Sequence, residues 1–316
     1  MINFNYNIMK KIFFLSSFFL IFFAGCDTSE PIESDNSLLP KTIKTEQSYD
    51  AEPQYDYTHI TTFEYDNSDR PVNILKETYR RLNNEKADKN VLVYSISRKL
   101  EYSVYSKSEK SLSSRDLVGV TQTDVIKSWI KDNDYSTHTE TRVYDLKSEK
   151  NNLIEITLNG KFKETIELSK GLAVKYNKVR FSNPPEENTI NYTEEYKYNS
   201  KGDVSQYNYI SLLDDRYASE EKYLYDSFNG VYKHMNIPQW LFIALFGNEG
   251  RIHNIREIYV VHGGKETPFA ENIYRYNSEY YPKESVYRPN SELVGIWGSK
   301  TTYDYVKAKV SQMRPY

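Results

Sequence analysis

The chain has 316 residues, with 41 lysines and arginines against 44 aspartates and glutamates, for a net charge of −3. That balance provides no basic footprint for nucleic acid and no polybasic run for anionic lipid. A lone cysteine, Cys26, excludes an intrachain disulfide and any multi-thiolate metal centre.

The first element is a leader. Lys10 and Lys11 precede an apolar run from Ile12 to Ala24 that is rich in phenylalanine. About 13 apolar residues fit a secretory h-region and fall short of the roughly 20 needed to cross a bilayer as a helix. Met9 is a plausible start, because Met1 to Asn7 is polar and adds nothing to the signal. Phe23-Ala24-Gly25-Cys26 resembles the lipobox of bacterial lipoproteins. That resemblance implies a diacylglyceryl group on the Cys26 sulfur and cleavage of residues 1–25. Cleavage removes two lysines and no acids, leaving 39 basic side chains against 44 acidic, a net charge of −5. Two or more acyl chains make a stable anchor where one does not.

Residues 26–54 follow as a lipidated cysteine and flexible tether. Asp27, Glu30, Glu33 and Asp35 alternate with Pro31, Pro40 and Pro53, and large apolar residues are few. Such a composition buries too little surface to offset its ordering entropy and stays extended. The early acids look like the surface-export signals of some Gram-negative lipoproteins. The expected location is the outer membrane, held by lipid alone, facing the periplasm or the surface.

The body, residues 55–316, is expected to be a single β-rich domain. It holds nearly all of the chain's 30 tyrosines, against only 12 glycines in the whole sequence. Four segments share one pattern: Phe63-Glu64-Tyr65-Asp66, Tyr196-Lys197-Tyr198-Asn199, Tyr223-Leu224-Tyr225-Asp226 and Tyr274-Arg275-Tyr276-Asn277. Tyr303-Asp304-Tyr305 and Tyr144-Asp145 are remnants of it. Aromatics at i and i+2 share one face of a strand. The Asp or Asn that follows bonds its own backbone and opens a turn. Each unit is therefore a hairpin, and repetition makes a meander. The units resemble the tyrosine-aspartate repeats of Rhs-type shells. With the leader they also resemble uncharacterised β-rich lipoproteins of Gram-negative envelopes, a likeness that implies a fold and no activity. The expected fold is all-β, an antiparallel meander forming a twisted open sheet or barrel-like body with one or two short helices.

Further strands are predicted at Val91 to Ser97, Lys99 to Tyr105, Leu153 to Leu158 and Lys161 to Leu168, the last two joined by Asn159-Gly160. Ile255 to Val261 and Thr267 to Tyr274 make another hairpin around Gly263-Gly264. Asn183-Pro184-Pro185 marks a midpoint break near 183–188. Asn236 to Gly247 reads as a buried helix with a capping Asn, an early Pro and a closing Gly. Thr123 to Lys131 fits a helix or a strand.

Chemistry is sparse. His59, His138, His234, His253 and His262 show no ligand spacing, so no metal or cofactor is expected; His253 and His262 could face each other across a bend. No serine lies in a nucleophile elbow. Carboxylates such as Asp214-Asp215 and Glu220-Glu221 are abundant, so a carboxylate-dependent hydrolase of surface polymers is the alternative function. The leading expectation is a non-enzymatic binding or structural module for a glycan or an envelope protein. Trp129, Trp240 and Trp297 are its candidate contacts, on an exposed aromatic patch.

Overall fold

The computed structural model describes residues 37–49, 55–82, 90–104, 117–131, 134–146, 152–179, 192–211, 218–290 and 296–309. Cys26, the leader and most of the tether lie outside them, as do Asp214-Asp215 and the break near 183–188.

Sixteen antiparallel strands close into a barrel in chain order. They are β1 (Leu38–Tyr49), β2 (Tyr55–Tyr65), β3 (Pro71–Leu82), β4 (Val91–Val104), β5 (Leu117–Lys131), β6 (Asp134–Leu146), β7 (Leu153–Leu158) and β8 (Phe162–Ser169). The circuit continues with β9 (Leu172–Lys178), β10 (Tyr192–Tyr198), β11 (Val204–Ser211), β12 (Ser219–Tyr225), β13 (Ile255–His262), β14 (Lys265–Tyr276), β15 (Pro282–Pro289) and β16 (Ile296–Lys307). One helix, α1 (Gln239–Phe246), interrupts the circuit between β12 and β13.

The meander is as expected, but the sheet closes. The closing strand is β1, which pairs with β16 from Leu38↔Lys307 to Tyr49↔Ile296. It lies inside the segment that composition assigns to the tether. Its polar alternation, Thr42-Ile43-Lys44-Thr45-Glu46, suits a wall with one wet face, and Pro40 sits at a bulge where a missing N–H is tolerated. Val91–Val104 is one strand rather than two, and Thr123 to Lys131 is part of β5. β9 and β10, the strands on either side of the segment near 183–188, pair from Tyr192↔Lys178 to Glu195↔Lys175.

The repeated unit has a fixed geometry. The backbone N–H of Asp66, Asn199 and Asn277 donates to the carbonyl four residues on, at 3.0, 2.9 and 2.9 Å. Each side-chain oxygen accepts from the N–H groups two and four residues on, for example Ser68 and Arg70 on Asp66 Oδ1. The fourth residue of each turn takes positive φ: Asp69 at 60°, Gly202 at 89°, Tyr280 at 62°. Only the second has the glycine that makes this cheap. In the units ending at Tyr65, Tyr198 and Tyr225 the second tyrosine ties its strand to the start of the preceding one, as Tyr102 and Tyr305 also do, whereas Tyr276 donates to Asp226. Tyr65, Tyr102, Tyr198, Tyr225 and Tyr305 donate to the carbonyls of Pro40, Pro71, Ala173, Val204 and Pro282 at 2.5–2.8 Å. These bonds form a belt around one end of the barrel.

At Asp226 the turn has been opened and residues 227–253 inserted, yet its closing bonds survive. Asp226 N–H donates to the Asn254 carbonyl at 3.1 Å, and Asp226 Oδ1 accepts from the N–H groups of Phe228 and Asn254. The insertion folds into the lumen as a plug. Phe246 packs on Phe63 of β2, Trp240 on Tyr144 of β6, and the Leu245 carbonyl accepts from Arg98 of β4. An element touching inward side chains of such separated strands must lie inside. Seven of the eight helical residues are buried, as their all-round apolarity predicts. Asn236 does not cap the helix; Pro238 holds the cap without a side-chain bond, and the Asn236 amide reaches the Ser68 carbonyl instead.

Candidate functional site in the barrel lumen

Strand alternation divides the wall into two chemistries. Taking the buried Phe63 and Ile74 as inward, the register Phe63↔Ile74↔Arg98↔Asp124↔Glu140 fixes which residues of β2 to β6 share that face. The outward set is strongly polar. It includes Thr42, Lys44 and Glu46 on β1, Thr137, Thr139 and Thr141 on β6, and Lys300, Thr302 and Asp304 on β16. Ion pairs cross this outer surface, among them Lys99–Glu101 at 2.6 Å, Lys222–Glu266 at 2.6 Å and Lys300–Glu284 at 2.7 Å. The Lys300 ammonium holds the Glu284 carboxyl below its usual range. A lipid-facing wall needs an apolar band about 25 Å tall, and each lysine or arginine at mid-depth costs about 2–4 kcal/mol. Outward apolar residues such as Leu75, Leu224 and Ile273 stand singly among these charges rather than as such a band.

The inner face carries the tyrosines. Tyr144, Tyr176, Tyr196 and Tyr223 are buried with Leu39, Ile74, Leu100 and Ile166 against the plug. The rows expected on an exposed patch therefore point into the lumen, because Tyr at i and i+2 follows whichever face the apolar positions take. Several inner charges are tied to partners. Arg98 grips Asp124 with two bonds of 2.9 Å, Lys178 Nζ lies 2.8 Å from Glu194 Oε2, and the Tyr176 hydroxyl donates to Glu164 at 3.0 Å. The hydroxyls of Tyr196 and Tyr223 donate to Glu194 and Glu221. Burial first, and these carboxylates second, push the Tyr176, Tyr196 and Tyr223 phenols well above their ordinary value.

Between plug and wall lies a cavity of about 310 Å³. Its wall side consists of Ile43, Thr45, Thr61, Lys76, Asn272, Tyr274, Thr301 and Tyr303, and its floor includes Val231, Tyr232, Phe246 and Glu249. Thr45 and Thr301 share a hydrogen bond of 2.9 Å across β1 and β16, and Tyr303 shares one of 2.9 Å with Ser285. The Tyr274 hydroxyl and the Asn272 amide both donate to the Ile255 carbonyl at 3.0 Å. Burial lowers the Lys76 pKa, an effect that Glu249 opposes and Arg98 reinforces. Burial raises Tyr303 to about 12, and raises Tyr232 with help from the Glu249 carboxylate. The cavity thus combines three threonines, two carboxamides with Asn254, one ammonium, one carboxylate and aromatic rings.

The structure separates the candidate tryptophans. Trp240 is 5% exposed and packs 6.0 Å from Tyr144, so it belongs to the core. Trp129 lies near the other end of the barrel, against Arg80. Trp297 is on β16, with its side chain outside the described residues. His253 and His262 do not meet: His262 is exposed at the β13–β14 tip, whereas His253 Nδ1 sits 2.7 Å from the buried Asp203. Glu220 and Glu221 do point to opposite faces, toward Gln206 and Tyr223. Among the described residues, no group of three or more His, Cys, Asp or Glu side chains could hold a metal ion. Sequence reasoning missed Lys76, Glu249 and the threonines, which carry no motif and converge only when β1 meets β16.

No protein-family model and no curated protein matches the chain. Nine solved chains match. One is a porin-like protein from Bacteroides uniformis ATCC 8492, at 9% identity over 84% of this chain and 98% of that one, TM-score 0.47. Another is a porin-like protein from Bacteroides vulgatus ATCC 8482, at 10% identity over 85% of this chain and 99% of that one, TM-score 0.35.

Proposed function

We propose that this protein is a lipid-anchored envelope module that binds, without chemistry, a small glycan in the cavity of a water-facing barrel. The observation that carries the proposal is the division of the wall, charges outside and tyrosines inside, around a polar, ring-lined cavity. Ligand sites are concave, aromatic and furnished with a few convergent polar groups. A sugar ring offers an apolar face to Tyr232 or Phe246 and hydroxyls to Thr45, Asn272, Lys76 and Glu249.

The lipid on Cys26 rests on the lipobox resemblance. β1 starts at the belted end, where Tyr65 reaches Pro40, and the plug enters at the same end. A tether there would leave the opposite mouth facing away from the membrane.

The test is a glycan panel against the full chain in detergent, with Thr301→Phe to fill the cavity and Glu249→Gln to change one contact. Expected is binding that both variants weaken by at least about tenfold with an unchanged melting curve. Neutral glycans bound equally by wild type and both variants would place the site elsewhere. Cys26→Ser with cell fractionation tests the anchor: retention in the membrane fraction would refute it.

A further inference from the structure

A second feature sits at the barrel end opposite the plug. Arg80, near the end of β3, follows Ile74, Lys76 and Thr78 along the inward row and pairs in register with Tyr57 and Val91. Its guanidinium carbon lies 4.5 Å from the ring centre of Tyr55, on the inward row, and 5.0 Å from that of Trp129, which near the end of β5 stands on the row of Lys127 and faces Tyr135 in register. Two aromatic rings thus fix the plane of the cation.

Among the described residues, no carboxylate pairs with Arg80. Its register partners Tyr57 and Val91, and its row neighbours Thr78 and Leu82, are uncharged. The nearby carboxylate of Asp56 is on the opposite face and is taken by Arg81 at 3.0 Å. Among the described residues, no hydrogen bond or ion pair engages the Arg80 N–H groups. Two further polar atoms in the same region lack partners: Trp129 Nε1 and His59 Nε2, both buried. His59 occupies the adjacent inward position of β2, its Nδ1 3.0 Å from Thr78 Oγ1. The region therefore holds an oriented guanidinium with free edges, an indole N–H and an imidazole nitrogen.

We propose that Arg80, held between Tyr55 and Trp129, receives the carboxylate or sulfate group of an acidic glycan. The planar fork of a guanidinium matches an oxyanion with two parallel hydrogen bonds. Trp129 Nε1 and His59 Nε2 are buried, so the recognition rests on the Arg80 guanidinium and the rings that hold it. This site stands about four residues along β3 from Lys76, or roughly 13 Å at about 3.3 Å per residue. It is a separate contact from the cavity, and it does not depend on the cavity being occupied.

The experiment titrates the full chain in detergent with three oligosaccharides of equal length: a polyuronate, a sulfated chain and a neutral glucan. Binding is read by calorimetry and by tryptophan fluorescence, with Trp129→Phe assigning the optical signal. Expected is at least about tenfold tighter binding of one acidic chain than of the neutral one, weakening as salt rises. The acidic chain that binds identifies carboxylate or sulfate as the recognised group. Arg80→Gln should reduce its affinity to the neutral level, and Arg80→Lys, which keeps charge without the fork, should fall between.

Equal affinity of wild type and Arg80→Gln for the acidic chains, or no preference for either over the neutral one, overturns the proposal. Loss of acidic binding in Arg80→Gln but not in Thr301→Phe would support this site and leave the cavity without its ligand. Neutral binding lost in Thr301→Phe, with no acidic preference, would do the reverse.

Discussion

Raising the pH past the ordinary tyrosine pKa should unfold this barrel cooperatively. Tyr144, Tyr176, Tyr196, Tyr223 and Tyr232 are between 1% and 8% exposed, and burial raises the pKa of each. A phenol whose folded pKa lies above its unfolded value contributes stability that is complete below about pH 10 and is lost as the pH climbs toward the folded value. At about pH 11 each unfolded tyrosine gains about 1.4 kcal/mol from ionising while its folded counterpart stays protonated, so five give about 7 kcal/mol. That is comparable with the whole stability of a typical domain, about 5–15 kcal/mol. The assay follows tyrosinate absorbance and the far-ultraviolet β signal together through an alkaline titration. Exposed tyrosines should titrate gradually first; the buried set should then ionise in a steep step that coincides with loss of the β signal. A single gradual titration near pH 10 with the β signal intact would show that the inner hydroxyls reach water, and would refute the packed interior.

The other two stability predictions concern single contacts. Tyr65→Phe, Tyr198→Phe and Tyr305→Phe each delete one bond of the belt and should each cost about 1 kcal/mol in urea denaturation, adding nearly independently because the sites are separated around the barrel. No measurable loss in the triple variant would mean the belt is decorative. Arg98→Met leaves the Asp124 carboxylate, whose side chain is 4% exposed, with only the Gln122 amide at 2.9 Å and Arg142 at 4.0 Å, and should cost about 3 kcal/mol, the low end for breaking a buried pair. Arg98→Met with Asp124→Leu should recover most of that loss, and failure to do so would place the contribution in the Arg98 bond to Leu245 instead.

The hairpins were legible because their cause is local. Asp66, Asn199 and Asn277 close their turns through their own side chains, a property of three or four consecutive residues. The Asn159-Gly160 turn is of the same kind, with φ of 52° and 71°. Closure was not legible, because β1 is stabilised by partners some 250 residues away: Thr45 bonds Thr301, and the Leu38 N–H reaches the Tyr281 hydroxyl. Its own residues are polar enough to pass for a tether. The insertion was half legible. Apolarity announced a buried helix, but only the surviving bond from Asp226 to Asn254 shows that 227–253 is a turn grown into a plug. Trp240 was chosen for its residue type, and it is core for the same reason that made it conspicuous.

Strand count does not decide what surrounds a barrel; residue parity does. Sixteen antiparallel strands can enclose an aqueous channel within lipid or an apolar core within water, and the backbone is the same in both. Because side chains alternate with period two, a one-residue slip in register would turn Lys44, Glu46 and Lys300 inward and Ile43, Tyr303 and Thr45 outward. The register is pinned against that slip by the belt. Tyr65, Tyr102, Tyr198, Tyr225 and Tyr305 make these bonds from the inward row, and a slip would break all five. The repeated tyrosine pair thus sets the hairpin locally and, through its second hydroxyl, fixes which face of the whole wall is wet. The charged outer surface and the proposed lipid on Cys26 belong to one proposal, in which the anchor lies outside the barrel.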